Sequence, residues 1–160
     1  KVLEDKARFE RELRIRKQQE ALKTKSFKAL KGQLPWPADG RIIAKFGRQW
    51  NSKLKTTTEN PGIDIKGQPG SPIRTVLGGV VTTITYIRGY GTTIIVDHGG
   101  GFYTVYSHVT NIQTVVDGQV RNGDIIAYMG DSGSINGSKL HFEIWGKGQK
   151  LDPEKWLIKK

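Results

Sequence analysis

The chain has no cysteine among its 160 residues, which excludes disulfides and thiolate chemistry. It also lacks any run of about 18 apolar residues, so no spanning helix is expected. No N-terminal signal peptide is visible and the first residue is Lys1 rather than Met, so the chain reads as a fragment whose targeting sequence lies elsewhere. Carboxylates are the minority, 15 against 26 Lys and Arg, giving a net charge of +11. That surplus favours polyanionic neighbours by long-range attraction. Two signatures that would direct it to nucleic acid are missing, a basic helix with base-reading side chains and a paired-aromatic RNA-binding motif. No internal repeat is present. Anionic cell-wall polymer, acidic lipid head groups or an acidic protein face remain as partners.

What is present divides the chain in two. Residues 1–25 contain neither Gly nor Pro and are rich in Glu, Lys, Arg, Leu and Ala, which favour helix. Glu4 with Arg8, Glu10 with Arg14 and Glu12 with Arg16 set acid before base at i,i+4, the stabilising order. Val2, Phe9 and Leu13 keep a heptad-like spacing that Arg16, Glu20 and Lys23 interrupt, so a strong coiled coil is not expected. The segment is either the solvated end of a longer helix or an arm that packs on the domain. Gly32 is expected to end the helix, and Pro35-Trp36-Pro37 forces an extended chain. We therefore divide the sequence into a helical segment, 1–31, and a β domain, 32–160.

Glycine is abundant in that second part, 20 in the whole chain, or about one residue in eight against a typical ~7%. Short runs dominated by β-branched and aromatic residues recur between turns. They predict strands at 41–46, 80–86, 92–98, 102–108, 124–129 and 139–145. The fold expected is mainly β, an antiparallel sandwich or barrel-like domain with an N-terminal helical segment. Residues 47–59, polar and without period, read as a long loop carrying Trp50, and 130–138 as a second flexible rim.

Period-two geometry places Leu140, Phe142 and Ile144 on one face of the last strand and Lys139, His141, Glu143 and Trp145 on the other. Thr104, Tyr106 and His108 also share a face, assigned here with the polar set to the floor of a groove. His98, at a strand end, is expected to satisfy turn backbone, and Trp36, Trp145 and Trp156 to serve packing.

Three segments carry a resemblance: Asn60-Pro61-Gly62-Ile63-Asp64, Tyr106-Ser107-His108 and Lys139-Leu140-His141-Phe142-Glu143. They resemble the signature segments of the LytM/lysostaphin-type peptidoglycan metallopeptidases, which read His-x-x-x-Asp, a catalytic His, and His-x-His. Gly70-Ser71-Pro72-Ile73, Gly78-Gly79-Val80-Val81, Val96-Asp97-His98-Gly99 and Gly123-Asp124-Ile125-Ile126 extend the likeness over roughly 27–157. The flanks Phe27 to Pro37 and Asp152 to Leu157 are similar to the degenerate EnvC-type activators of murein hydrolases.

The resemblance implies zinc-ligand positions at Asn60, Asp64 and His141, and general-base or transition-state positions at His108 and Lys139. Asn60 offers a neutral amide, and Lys139 an ammonium with no lone pair, where the family has histidines. Zinc is therefore expected to be lost and no cofactor is expected, with Lys139 pairing with Asp64 in place of the metal's charge and His141 or Asn60 completing the hydrogen bonds. The resemblance further implies a non-catalytic regulator that binds and activates a peptidoglycan amidase in daughter-cell separation. It implies a periplasmic or exported location and an upstream coiled coil linking to a division-associated membrane complex. In such activators a helix can occupy the groove, which makes 1–25 a candidate inhibitory arm. Trp50, Tyr90, Tyr106 and Glu143 are the expected groove-rim contacts. Two other readings stand beside this one: a zinc-dependent endopeptidase with an atypical site, and a peptidoglycan-binding module.

Overall fold

A computed structural model describes residues 2–131, 134 and 137–160, the side chains of 2, 3 and 15–26 excepted. Helix α1 runs Val2–Ala29, with Glu4 and Asp5 in its first turn and Lys28 in its last, where each sign of charge suits the helix dipole. The side chains of 4–14 are exposed. At the other end Phe27 is fully buried, its ring 5.0 Å from His98, 4.8 Å from Phe102 and 5.3 Å from Trp156. Packing thus crosses the compositional boundary at 31. Gly32, at φ 81°, turns the chain so that its N–H and that of Leu34 donate to the Trp156 carbonyl.

The strands follow as β1 Arg41–Ala44, β2 Gly47–Asn51, β3 Thr56–Asn60, β4 Ile63–Lys66, β5 Pro72–Arg74, β6 Gly79–Ile87, β7 Gly91–Gly99, β8 Phe102–Ser107, β9 Val109–Thr110, β10 Gln119–Val120, β11 Ile125–Met129, β12 Leu140–Gly146 and β13 Gln149–Leu151. A final turn of helix, α2 Pro153–Trp156, is capped by Asp152, whose carboxylate accepts from the Glu154 N–H. Among the described residues the main sheet has the order β1-β4-β12-β8-β7-β6-β10, with β13 added to β12. A smaller sheet, β5-β11-β9, contributes Ile73, Ile126, Met129 and Val109 to the same core. The fold is mainly β and antiparallel, with an N-terminal helix, as the strand periodicity indicated.

Two expectations fail. Residues 47–59 are not a long loop: β2 pairs with β3 in an exposed hairpin, Trp50 opposite Thr57. The three consecutive threonines Thr56 to Thr58 favour the pleat. Asn51 organises the turn, its side-chain oxygen accepting from the N–H groups of Lys53 and Leu54. The second failure concerns parity. Tyr106 lies opposite Phe142, rings 5.3 Å apart, and faces the core with Phe102 and Thr104. The face that holds His141, Glu143 and Trp145 carries Ser107, Val105 and Tyr103 from β8 instead.

Candidate functional site

The register of three strands assembles the site. His141 lies opposite Asp64 on β4 and opposite Ser107 on β8. Gly62 makes the β4 approach possible, since a Cβ there would sit 2.1 Å from the Phe142 carbonyl oxygen. Lys139, just before β12, is held by its N–H to the Gly130 carbonyl at 3.1 Å.

These placements close a chain of charge-assisted hydrogen bonds. Lys139 Nζ donates to Asp64 Oδ2 at 2.9 Å, and His141 Nδ1 lies 2.6 Å from Asp64 Oδ1. His141 Nε2 lies 2.7 Å from Glu143 Oε2, and Trp145 Nε1 donates to Glu143 Oε1 at 2.7 Å. Lys150 Nζ stands 3.8 Å from that same oxygen. With a carboxylate at each ring nitrogen, only the imidazolium can donate to both. Burial disfavours its charge, yet the bonds it donates to Asp64 and Glu143 outweigh burial and raise the His141 pKa. For Asp64 burial likewise pushes the pKa up, but His141 and Lys139 bring it below the ordinary carboxylate range. Glu143 behaves in the same way, burial being overcome by His141 and Trp145. Two cations and two carboxylates therefore neutralise each other where the side chains are only 4–14% exposed.

Each residue singled out in the sequence can now be placed. Asp64, Lys139 and His141 meet as described. Asn60 does not join them through its amide oxygen, which accepts from the Gly62 N–H at 3.1 Å and closes the turn between β3 and β4. His108 leaves β8 with φ 64° and is buried, its N–H donating to the Tyr90 carbonyl and its carbonyl accepting from Gly130. Tyr90 covers the site, its ring 5.0 Å from that of His141. Burial, then the charges of Glu143 and Asp64, push the Tyr90 phenol pKa up, so it stays a neutral hydroxyl. Trp50 stands exposed on the hairpin that ends at Asn60.

Two rim assignments are corrected. Tyr106 is completely buried, its hydroxyl accepting from the Val76 N–H and bonding Thr104. Glu143, 5% exposed, is an internal partner of His141 rather than a contact on the rim. His98 serves the core side, between the Gly78 carbonyl and the Thr104 hydroxyl.

Sequence reasoning missed Ser107 and Thr93, whose hydroxyls bond at 2.9 Å on the His141 face, and Lys150 beside Glu143. The alternation of β12 already put Glu143 on the His141 face, and that was the available signal for their contact.

A tetrahedral zinc site needs three donors with free lone pairs converging on one point. Here both oxygens of Asp64 and both nitrogens of His141 are turned to each other, to Glu143 and to an ammonium. The Asn60 oxygen is spent on its turn. This donor set does not fit a zinc ion. What it can do chemically is hold a charge-balanced, hydrogen-bonded floor beneath Tyr90.

Comparison with known proteins agrees with this topology. Residues 58–153 match the family model of peptidase family M23. The chain is 32% identical over 129 residues to the murein hydrolase activator EnvC of Escherichia coli, covering 81% of this chain and 30% of that protein. It is 33% identical over 113 residues to the DD-carboxypeptidase/endopeptidase Mpg of Neisseria meningitidis, covering 71% of this chain and 26% of that one. A zinc-containing peptidase from Vibrio cholerae superposes with a TM-score of 0.71 at 22% identity, over 81% of this chain and 41% of that structure, and shares the fold. The chain thus spans about 30% of the length of these curated relatives.

Proposed function

We propose, for a chain that belongs to peptidase family M23, a regulatory role without hydrolytic chemistry: its groove binds and activates a peptidoglycan amidase in cell-wall remodelling and daughter-cell separation. The observation that carries this reading is the Lys139 ammonium on Asp64. An active member of such a family needs a metal to bring the pKa of water down to about 7. An ammonium at 2.9 Å from the carboxylate supplies positive charge but no coordination position for water.

The relative named as a murein hydrolase activator supports a regulatory function. Tyr90 and Trp50, the two rim candidates that are not buried in the core, are the partner contacts we assign to the groove. We place the protein in the periplasm or otherwise exported to the envelope, where the amidase's substrate polymer lies; no described helix is long and apolar enough to cross a membrane. The exposed side chains of 4–14 do not fill the groove. Phe27 seats the helix on the core face of the sheet at the His98 end, away from His141. We therefore favour α1 as a connection to an upstream coiled coil over an inhibitory arm.

An endopeptidase reading is favoured by the relative of that activity. One experiment separates the two. Dye-labelled sacculi are incubated with the protein plus zinc, with an amidase of the same cell, or with both, and soluble products are identified by mass. The expected result is no release by the protein alone and accelerated release of stem peptides cut from glycan when both are present. Cross-link cleavage by the protein alone overturns the proposal in favour of a peptidase.

A further inference from the structure

A second concavity, lined by none of the residues that bond His141, lies between β1, at the edge of the main sheet, and the chain's last residues. Trp36 joins its two walls. The indole N–H donates to the Ile158 carbonyl at 2.7 Å, while the Ile158 N–H donates to Leu34, so the terminal segment is pinned beside β1. Lys160 crosses the gap, its ammonium donating to the Gly40 carbonyl at 2.7 Å and standing 4.2 Å over the Trp36 ring. The resulting groove holds about 600 Å³, within the range of about 300–1,000 Å³ typical of small-molecule sites.

Its chemistry is amphiphilic. Trp36, Ile42 and Ile158 line it with apolar surface, and Ile158 is 52% exposed. Arg41, Lys45, Lys159 and Lys160 supply four cations against the single carboxylate of Glu154. An apolar lining under a cationic rim complements a ligand that is anionic at one end and hydrocarbon at the other. A polysaccharide anion would leave the isoleucines without a counterpart.

We propose that this groove is a docking site for an anionic phospholipid of a membrane surface, the phosphate engaged by Arg41, Lys45 and Lys159 and the upper hydrocarbon by Ile42 and Ile158. The site is independent of the amidase reading.

The test is flotation of the protein with phosphatidylcholine vesicles prepared with and without phosphatidylglycerol. Binding is expected only with the anionic lipid. Neutralising the rim, Arg41→Gln with Lys45→Gln and Lys159→Gln, is expected to weaken it on the order of 100-fold, because each surface cation near an anionic leaflet contributes a factor of about five. A charge-matched control, Arg88→Gln with Arg121→Gln and Lys147→Gln, removes three exposed cations elsewhere and is expected to cost far less. Ile158→Ser alone should weaken binding at a salt concentration that already screens the charges. Equal losses in the two triple variants would reduce the effect to the net charge of +11 and overturn the site. Loss of binding to isolated sacculi without loss on vesicles would assign the groove to a cell-wall polyanion and overturn the lipid.

Discussion

Lys139 is the residue on which the chemistry turns. Its ammonium and the Asp64 carboxylate are only 12% and 14% exposed, so removing one leaves the other without compensation in a poorly solvated place. Lys139→Ala should therefore cost roughly 3–5 kcal/mol of folding stability. Asp64→Asn should cost a comparable amount. The double variant should cost clearly less than the sum, because the partner left behind is no longer charged. Urea unfolding of the four proteins measures this, and simple additivity would mean that the pair does not contribute. The identities of Asp64, Lys139 and His141 were legible from the sequence. The role of Glu143 was not, because one residue's parity does not reveal what its neighbour on the same face will bond.

The same cluster sets a pH response. Asp64 and Glu143 have depressed pKa values, so their contribution is complete above the ordinary carboxylate range and is lost as pH falls through the depressed values. His141 has a raised pKa, so its contribution is complete below about 6.5 and is lost as pH rises through the raised value. The melting temperature should be highest between about pH 4.5 and 6.5 and decline on both sides. His141→Gln should abolish the alkaline decline while the acid one remains. An unchanged alkaline limb in that variant would show that another group titrates.

At the scale of elements, β12 is the piece that the sequence specified best. Alternation of Leu140, Phe142 and Ile144 with His141, Glu143 and Trp145 assigns both faces without reference to a neighbour. The strand β8 has the same alternation, yet the assignment of Thr104 and Tyr106 to the groove from it was wrong. Apolar Val105 and polar Thr104 and Ser107 are all buried, so polarity does not separate inside from groove. Pairing with β12 decides it. The hairpin β2–β3 failed for a different reason, since Gly47 to Asn51 lack an apolar alternation and are held by ladder bonds and the Asn51 turn.

Helix α1 depends on one anchor among its described side chains. Phe27→Ala should destabilise the protein by about 3–5 kcal/mol, the range for an aromatic lost from a core. Its effect should reach the β domain, because the ring touches His98, Phe102 and Trp156 together. Thermal unfolding followed by tertiary tryptophan signal will show this. A loss confined to the helical signal would mean that the helix and domain unfold separately.

For the whole molecule, charge and topology act at different ranges. The net charge of +11 was fixed by composition and draws the protein towards anionic surfaces whatever its fold. The mainly β character, most strand positions and the donor types at the site were likewise set by local sequence, through propensity, period and side-chain chemistry. Which donors meet was decided only by tertiary structure. Lys139 and Asp64 are 75 positions apart, and the register of β4 on β12 brings them to 2.9 Å. The same registers turn Tyr106 inward and place Glu143 under His141. The physical reason is that a hydrogen bond or an ion pair acts over a few ångströms, whereas the strand pairings that create those distances depend on contacts across the entire sheet.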